Sequence, residues 1–263
     1  MDFGLKGKIA VISGGNKGLG AASANALAAE GTNLFLTARN VDELEDTASR
    51  ISNSHGVQVE TLAGDLTVPD TADLVANAAL QRFGQIDILV NSAGSSQGGV
   101  FWEIPDSVWE DSLSLKFMGT IRMMRAVIPA MRAQHYGRII NIVGNLGKQP
   151  NPRLLPGAVA NAGLLVATTG LAQEVANDGI VVLAVNPGPT RTERWKTLME
   201  ELAAQQKTSV EAIEAGFMED IPMNRLAEPE EIGRIVTFMA SDIAANMTGT
   251  SLTADGGWIK GLA

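Results

Sequence analysis

The chain has 263 residues, a length that suits one α/β domain with a sizeable hydrophobic core. Its formal net charge of −9 at pH 7 argues against a binding surface for nucleic acid or anionic membranes. It contains no cysteine, which excludes disulfides, thiolate nucleophiles and zinc sites built on cysteine.

The first residues, MDFGLKGK, lack the basic and apolar regions of a secretion signal. No apolar run reaches the length that a membrane-spanning helix is expected to need. We therefore expect a soluble protein of the cytoplasm.

Short apolar runs alternate with helical patterns along the chain. Strands are predicted at residues 9–12, 33–37, 57–62, 86–90, 138–143, 180–185 and 251–254. Helices are predicted at residues 19–30, 41–52, 70–83, 106–134, 157–177 and 229–240. Repeated βα units with short connections predict an α/β fold, a single Rossmann-type domain with a doubly wound, parallel, seven-stranded sheet and helices on both faces. Ligands of such sheets bind at the carboxyl ends of the strands.

A glycine-rich turn joins the first predicted strand to the first predicted helix, with glycines at Gly14, Gly15, Gly18 and Gly20. Glycines allow a sharp turn and a close approach to a ligand, and the start of a helix attracts phosphate. The spacing differs from the plain G-x-G-x-x-G fingerprint. By itself, the turn is as compatible with a structural role as with a dinucleotide site.

Further motifs follow this turn in a fixed order. They are Asp65-Leu66, NSAG at 91–94, GRIINI at 137–142, NPG at 186–188, PMNRLAEPEEI at 222–232, Thr248-Gly249 and DGG at 255–257. Together with SGGNKGLG at 13–20, they resemble the short-chain dehydrogenase/reductase family, and most of all its 3-oxoacyl-carrier-protein-reductase-like branch. The resemblance covers nearly the whole chain.

The resemblance implies a nicotinamide dinucleotide site. It implies that Gly14, Gly18 and Gly20 hold the pyrophosphate and that Asp65 holds the adenine amine. It places six residues in the wall beside the nicotinamide and its ribose: Asn91, Ala93, Gly94, Pro187, Gly188 and Thr192. It places three more in the rest of the cofactor site: Asn16, Leu19 and Leu66.

The end of the second strand bears on the choice of cofactor. It reads Ala38-Arg39 and carries no acidic residue that would hold a ribose 2′-hydroxyl. Arg39 and Lys17 offer two cations to a 2′-phosphate, so the sequence favours NADP(H) over NAD(H). The alternative is that both are solvated surface charges.

The family's catalytic residues are absent from the positions that the resemblance assigns to them. The family uses a serine after the fifth strand, a Tyr-x-x-x-Lys motif on the next helix and an asparagine on the fourth helix. Here the serine position is Gly144, the tyrosine position Gly157, the lysine position Asn161 and the asparagine position Lys116. We therefore expect an atypical active site.

Other residues do not restore the missing chemistry. The chain has one tyrosine, Tyr136, which precedes the fifth strand and is expected at the edge of the sheet opposite the ligand side. His55 and His135 precede the third and fifth strands and are expected at that same edge. A Ser-His-Asp arrangement and a histidine metal site are therefore not expected, and no metal is predicted.

Lys116 is the candidate replacement. One hypothesis is that its ammonium donates a proton or holds an anionic oxygen, since burial can lower a lysine pKa towards neutrality. The alternative is that Lys116 fills a cavity or points to solvent. A polar loop at the mouth of the same site holds Asn145, Lys148, Gln149, Asn151 and Arg153. One interpretation is that these residues bind the substrate, and the alternative is that the loop is polar only because surface loops usually are.

Residues 193–223 lie where the family keeps its substrate lid, and they mix charges with Trp195, Leu198, Met199, Phe217 and Met218. The pattern predicts two amphipathic helices that cover a ligand, with Trp195 as a substrate contact, or that pack on a partner. The helices at 106–134 and 157–177 carry excess apolar surface, and the resemblance implies a homotetramer that uses them. The alternative is a hetero-oligomer with a paralogue.

Three functions from different classes remain open. The first is an NADP(H)-dependent oxidoreductase that acts on a small or medium-sized carbonyl or alcohol. The second is a catalytically silent NADP(H)-binding subunit or sensor. The third is a pocket repurposed for a lyase, isomerase or hydrolase reaction.

Overall fold

The computed structural model describes residues 2–94 and 97–261, and its centre is a single sheet of seven parallel strands in the order β3-β2-β1-β4-β5-β6-β7. The strands are β1 Ile9–Ser13, β2 Asn33–Ala38, β3 Val59–Ala63, β4 Ile88–Asn91, β5 Gly137–Ile142, β6 Ile180–Pro187 and β7 Ser251–Ala254. The predicted fold class, a doubly wound Rossmann-type domain, is confirmed.

Nine α-helices connect the described strands. They are α1 Gly18–Ala29, α2 Val41–His55, α3 Thr71–Phe83, α4 Asp106–Ser112, α5 Gly119–Ala133, α6 Leu155–Val175, α7 Glu193–Gln206, α8 Val210–Asp220 and α9 Pro229–Ala240. The predicted helix at 106–134 is interrupted by a π-helical segment, Leu113–Met118, between α4 and α5. Most other predicted bounds differ from the observed ones by one to three residues.

Each face of the sheet has its own core, because successive strand residues point to opposite faces. One core packs Ile12, Ile140 and Val185 against α1, α2 and α9. The other packs Val11 and Ile139 against α3, α5 and α6. Both faces are therefore covered, which explains why the inner strands read as nearly continuous apolar runs.

Helix α6 corrects one expectation from the sequence. The stretch Leu155–Asp178 is long and apolar enough to cross a membrane by length and composition, with a mean hydropathy of 1.4 over its most apolar window. This property was not apparent from the sequence, because the stretch is rich in alanine, glycine and threonine and so contains no long run of large apolar side chains. Leu164, Ala172 and Val175 of α6 are buried within the molecule, as in the core helix of a globular protein.

The strand order locates the expected ligand site. The chain continues from β3 at one edge of the sheet to β4 beside β1, so the order reverses between β1 and β4. The connections that follow these two strands separate to opposite faces and leave a crevice at their carboxyl ends.

Candidate cofactor and substrate cleft

A cleft of about 1320 Å³ opens at the carboxyl ends of the strands. Its wall comes mainly from the segments that follow the first six strands, β1 to β6, and from α7 and α8. Ligand pockets for drug-sized molecules occupy roughly 300–1,000 Å³. The cleft therefore has room for a dinucleotide together with a second small molecule.

The glycine turn shapes one end of the cleft. Gly14 has a φ of +67°, and a Cβ added there would lie 3.0 Å from the Ala93 nitrogen. Gly18 has a φ of +55° and begins α1. Gly20 lies behind the turn, where an added Cβ would collide with the Gly14 carbonyl oxygen. It therefore packs α1 onto the turn and is not part of the cleft wall, and its expected contact with the pyrophosphate stays a prediction.

The start of α1 fits a phosphate group. Lys17 is the residue before the first turn of the helix, and its side chain makes no capping hydrogen bond. The first backbone N–H groups of a helix have no partner within the helix, and they attract anions when no side chain caps them. This end of the cleft is thus suited to the pyrophosphate of a dinucleotide.

Most of the positions that the sequence assigned to a cofactor lie in the cleft wall. They are Gly14, Asn16, Lys17, Gly18, Leu19, Arg39, Leu66, Ala93, Gly94, Pro187, Gly188 and Thr192. The structure thus brings together residues from five separate strand ends. Their contact with a nucleotide stays a prediction.

Besides Gly20, two assigned residues lie outside this wall. The Asp65 carboxylate accepts a hydrogen bond from the Thr67 backbone N–H at 2.9 Å, which lowers the pKa of Asp65. Asn91 is buried, and its amide donates to Asn141 Oδ1 at 2.9 Å. Both side chains form hydrogen bonds within the segments that carry the wall, and their contact with the cofactor stays a prediction.

Lys116 is positioned by the π-helical segment between α4 and α5. Its aliphatic stem packs on Gly94, where an added Cβ would lie 3.0 Å from Lys116 Cγ. Its Nζ donates to the Val143 carbonyl oxygen at 2.6 Å. The side chain therefore crosses the ends of β4 and β5 at the centre of the cleft. π-Helical turns are frequent at functional sites.

The surroundings of Lys116 disfavour its protonated, charged form. Burial lowers the pKa of Lys116 to about 8, and the nearby Arg194 guanidinium contributes in the same direction. No carboxylate in the described ranges, 2–94 and 97–261, forms an ion pair with it. An amine with this pKa exchanges protons near neutral pH, as a general acid requires.

Two of the other three positions that are predicted to have lost a catalytic residue, Gly144 and Asn161, border the same space. Gly144 has a φ of +117°, and an added Cβ would lie 3.0 Å from Asn161 Nδ2. Asn161 is buried in the cleft wall, and its Oδ1 has no hydrogen-bond partner among the described atoms. Gly157 is buried in α6 and is not part of the wall. A serine at position 144 would be strained in this backbone conformation.

The predicted substrate loop enters the cleft only in part, because Asn145 lies in the wall but the charged side chains do not. Lys148 Nζ lies 3.4 Å from Thr253 Oγ1, and Gln149 Oε1 accepts from the Lys260 N–H at 3.0 Å. The Arg153 carbonyl accepts from the Gly99 N–H at 2.8 Å. The loop is thus tied to neighbouring segments, and a substrate contact of these three residues stays a prediction.

An aromatic wall faces this part of the cleft. Trp195 and Phe217 pack edge to face with ring centroids 5.2 Å apart, and Phe217 and Trp258 do so at 5.7 Å. All three rings line the cleft. Sequence reasoning named Trp195 and Phe217 but missed Trp258, although it directly follows the DGG motif at 255–257.

Tyr136 lies at the opposite edge of the sheet, as expected. Its ring is held between the Lys8 ammonium, 3.7 Å from the ring centroid, and the Arg138 guanidinium carbon, 4.4 Å from it. Its hydroxyl donates to Asp242 Oδ1 at 3.3 Å, and burial raises the pKa of Tyr136 to about 12. The residue therefore belongs to a structural cluster of charges.

We expect Tyr136→Phe to leave kcat/KM for any reaction in the cleft within about twofold of the wild-type value, since the hydroxyl is remote from the cleft. The lost hydrogen bond should lower the free energy of unfolding by about 1 kcal/mol or less. Steady-state kinetics and urea denaturation measure the two effects. A loss of activity beyond tenfold in a folded variant would contradict this placement.

Comparisons with known proteins agree with this geometry. The family model described as enoyl-(acyl carrier protein) reductase matches residues 14–259. The 3-oxoacyl-(acyl-carrier-protein) reductase FabG of Escherichia coli is 34% identical over 253 residues, which cover 96% of this chain and 98% of FabG. The structure of L-sorbose reductase from Gluconobacter frateurii, complexed with NADPH and L-sorbose, is 33% identical with a TM-score of 0.93 and full coverage of both chains. That of actinorhodin polyketide ketoreductase with NADPH is 28% identical with a TM-score of 0.92, covering 96% of this chain and 97% of that one.

Proposed function

The chain belongs to the short-chain dehydrogenase/reductase family, and we propose that it is an NADP(H)-dependent oxidoreductase that acts on a small or medium-sized carbonyl compound or the corresponding alcohol through a non-standard active site. The observation that carries the proposal is the position of Lys116 in a cleft whose other end fits a dinucleotide. The NADPH complexes of two similar reductases support the choice of cofactor.

The residues present fit the cofactor. The uncapped start of α1 and the close packing at Gly14 suit the pyrophosphate, and Arg39 and Lys17 lie at the end where a 2′-phosphate would bind. When bound, NADPH supplies a hydride for a carbonyl carbon. The protein must then hold the carbonyl oxygen and provide a proton.

Lys116 is the group that we assign to this task. Its ammonium already donates to a neutral oxygen, the Val143 carbonyl, and a substrate oxygen that becomes negative would be a stronger acceptor. The proton moves from Nζ to that oxygen, and the neutral amine regains a proton from water. A pKa of about 8 suits both steps.

The lining of the cleft suggests the kind of substrate. Trp195, Phe217 and Trp258 form an apolar wall, and Asn145 and Lys116 add polar groups. Pockets of this composition bind mostly apolar molecules that are oriented by a few polar contacts. We therefore propose a carbonyl compound with an apolar body.

A silent NADP(H)-binding subunit or sensor is the second candidate. Three catalytic groups of the family are missing at Gly144, Gly157 and Asn161, and the backbone at Gly144 does not suit a serine. Such a protein would keep the cofactor site and bind nucleotide without turnover.

Assembly and location complete the proposal. We propose a soluble cytoplasmic protein that forms a homotetramer or pairs with a paralogue. Val166 and Val159 of α6 are 75% and 47% exposed, and apolar side chains on a helix face are suited to an interface between subunits.

The test uses the purified full chain. We expect NADPH to bind with a micromolar Kd, measured by nucleotide fluorescence, and its absorbance at 340 nm to fall only when a carbonyl compound is added. Aldehydes and ketones with and without an aromatic body make up the panel. Binding without consumption across the panel would favour the silent subunit, and absence of NADPH binding would overturn both candidates.

A further inference from the structure

The outer end of the cleft holds a carboxylate beside the cations expected to bind a 2′-phosphate. Glu43 is the third residue of α2, and its carboxylate lies in the cleft wall with Lys17 and Arg39. The side chain of Lys17 approaches both carboxylate oxygens, with Nζ 3.4 Å from Oε1 and 3.3 Å from Oε2. One of the two cations is therefore already engaged.

The carboxylate is held firmly in this place. Asn16 Nδ2 donates to Glu43 Oε2 at 2.6 Å, and the Glu43 backbone N–H donates to the Asn40 side chain at 3.1 Å. The hydrogen bonds from Asn16 and Lys17 lower the pKa of Glu43, so it is ionised at neutral pH. Glu43 thus links the glycine turn to the start of α2.

A bound anion can displace Glu43 from its ion pair with Lys17. The Lys17 side chain is 65% exposed and that of Glu43 is 41% exposed, and ion pairs of this exposure are weak because water screens them. A dianionic phosphate would compete for Lys17 and would also be repelled by the carboxylate next to it. A ribose hydroxyl, which is neutral, meets neither obstacle.

From this geometry we infer that Glu43 determines the preference between NADPH and NADH, by neutralising Lys17 and by placing a negative charge beside the 2′-phosphate site. The inference rests on the proposed function, because it concerns the nucleotide that this cleft takes. If Glu43 neutralises Lys17, Arg39 is the principal cation for the 2′-phosphate. We therefore expect the wild-type protein to prefer NADPH over NADH only modestly.

Glu43→Gln tests the inference because it removes the charge and keeps the size and the acceptor oxygen. We expect the Kd for NADPH to fall about tenfold and that for NADH to change less than about twofold. Titration of the full chain with each nucleotide, followed by fluorescence or calorimetry, needs no turnover. Glu45→Gln is the matched control, since Glu45 lies on the same helix outside the cleft wall and carries the same charge.

Lys17→Met supplies an independent measurement. In the wild-type background its effect on the NADPH Kd should be about threefold, because Glu43 already neutralises the ammonium. In the Glu43→Gln background the same substitution should weaken NADPH binding by about tenfold or more. Equal effects in both backgrounds would show that Glu43 does not act through Lys17 and would overturn the inference.

The remaining outcomes are also decisive. If Glu43→Gln lowered the Kd of both nucleotides equally, or if Glu45→Gln had the same effect, Glu43 would act only through the overall electrostatic potential of the protein. Either result would overturn the inference. Weaker NADH binding in Glu43→Gln would mean that the carboxylate holds a ribose hydroxyl, which also overturns it. If neither nucleotide binds to wild type or variants, the proposed function fails instead, and the two failures are thus distinguishable.

Discussion

Replacement of Lys116 by methionine is expected to lower kcat/KM for carbonyl reduction by about 10²- to 10³-fold. Methionine keeps the stem that packs on Gly94 but has no ammonium to hold the carbonyl oxygen or to supply its proton. The Kd for NADPH should stay within about threefold, because the dinucleotide end of the cleft is unchanged. Steady-state kinetics with NADPH and a reactive carbonyl compound measure the first quantity, and nucleotide titration measures the second.

The dependence on pH gives this prediction a second readout. Since the acid form of Lys116 is the active one and its pKa is about 8, activity should fall as the pH rises through about 8. Lys116→Arg keeps a positive charge that does not titrate in this range, so any residual activity should lack this decline. Lys196→Met is the control, because Lys196 is exposed on α7 outside the cleft wall. Wild-type activity in Lys116→Met would remove the residue from the mechanism.

Replacement of Gly20 by alanine is expected to lower the free energy of unfolding by about 2–4 kcal/mol and to weaken NADPH binding by at least about tenfold. The added methyl group would collide with the Gly14 carbonyl, and α1 and the turn would have to separate. That movement displaces both the N–H groups at the start of α1 and the close contact of Gly14 with Ala93. Urea denaturation and nucleotide titration measure the two effects.

Gly216→Ala is the matched control. Gly216 lies within α8, and among the described residues no atom beyond its neighbours and its own helix backbone lies within 4 Å of a Cβ added there. Alanine is favoured over glycine inside a helix by about 1 kcal/mol, so stability should stay the same or rise. If Gly20→Ala matched Gly216→Ala in stability and in NADPH affinity, the close packing of the turn would not be needed for the site.

Local sequence patterns predicted the fold well. Strands that are buried on both faces need nearly continuous apolar runs, and such runs marked the inner strands. The partly exposed edge strands β3 and β7 are less apolar and were still placed to within a few residues. The order of β and α segments then allowed few topologies, because parallel strands need right-handed crossovers. The helix pair of residues 193–223 was predicted in the same way and corresponds to α7 and α8.

The site was predictable only where a motif fixed a position along the chain. Lys116, Gly144 and Asn161 were located by counting from neighbouring motifs, and the structure brings all three to one wall. The π-helical segment that aims Lys116 was not predicted, because the shift in its hydrogen bonds depends on packing. Gly94 leaves room for Lys116, and Gly163 leaves room for the Phe117 ring, whose nearest atom would lie 3.0 Å from an added Cβ.

By itself, the sequence determined the sheet, the helices that cover it and the edge at which the cleft opens. It also led to the prediction that the family's catalytic residues are replaced. These depend on short-range periodicity and on position along the chain. Only the tertiary structure decided that Lys17 pairs with Glu43, 26 residues away, that Trp258 joins the aromatic wall and that Asp65 and Asn91 lie outside the cleft wall. Contacts of this kind depend on the directions in which side chains leave distant elements, and no local pattern encodes those directions.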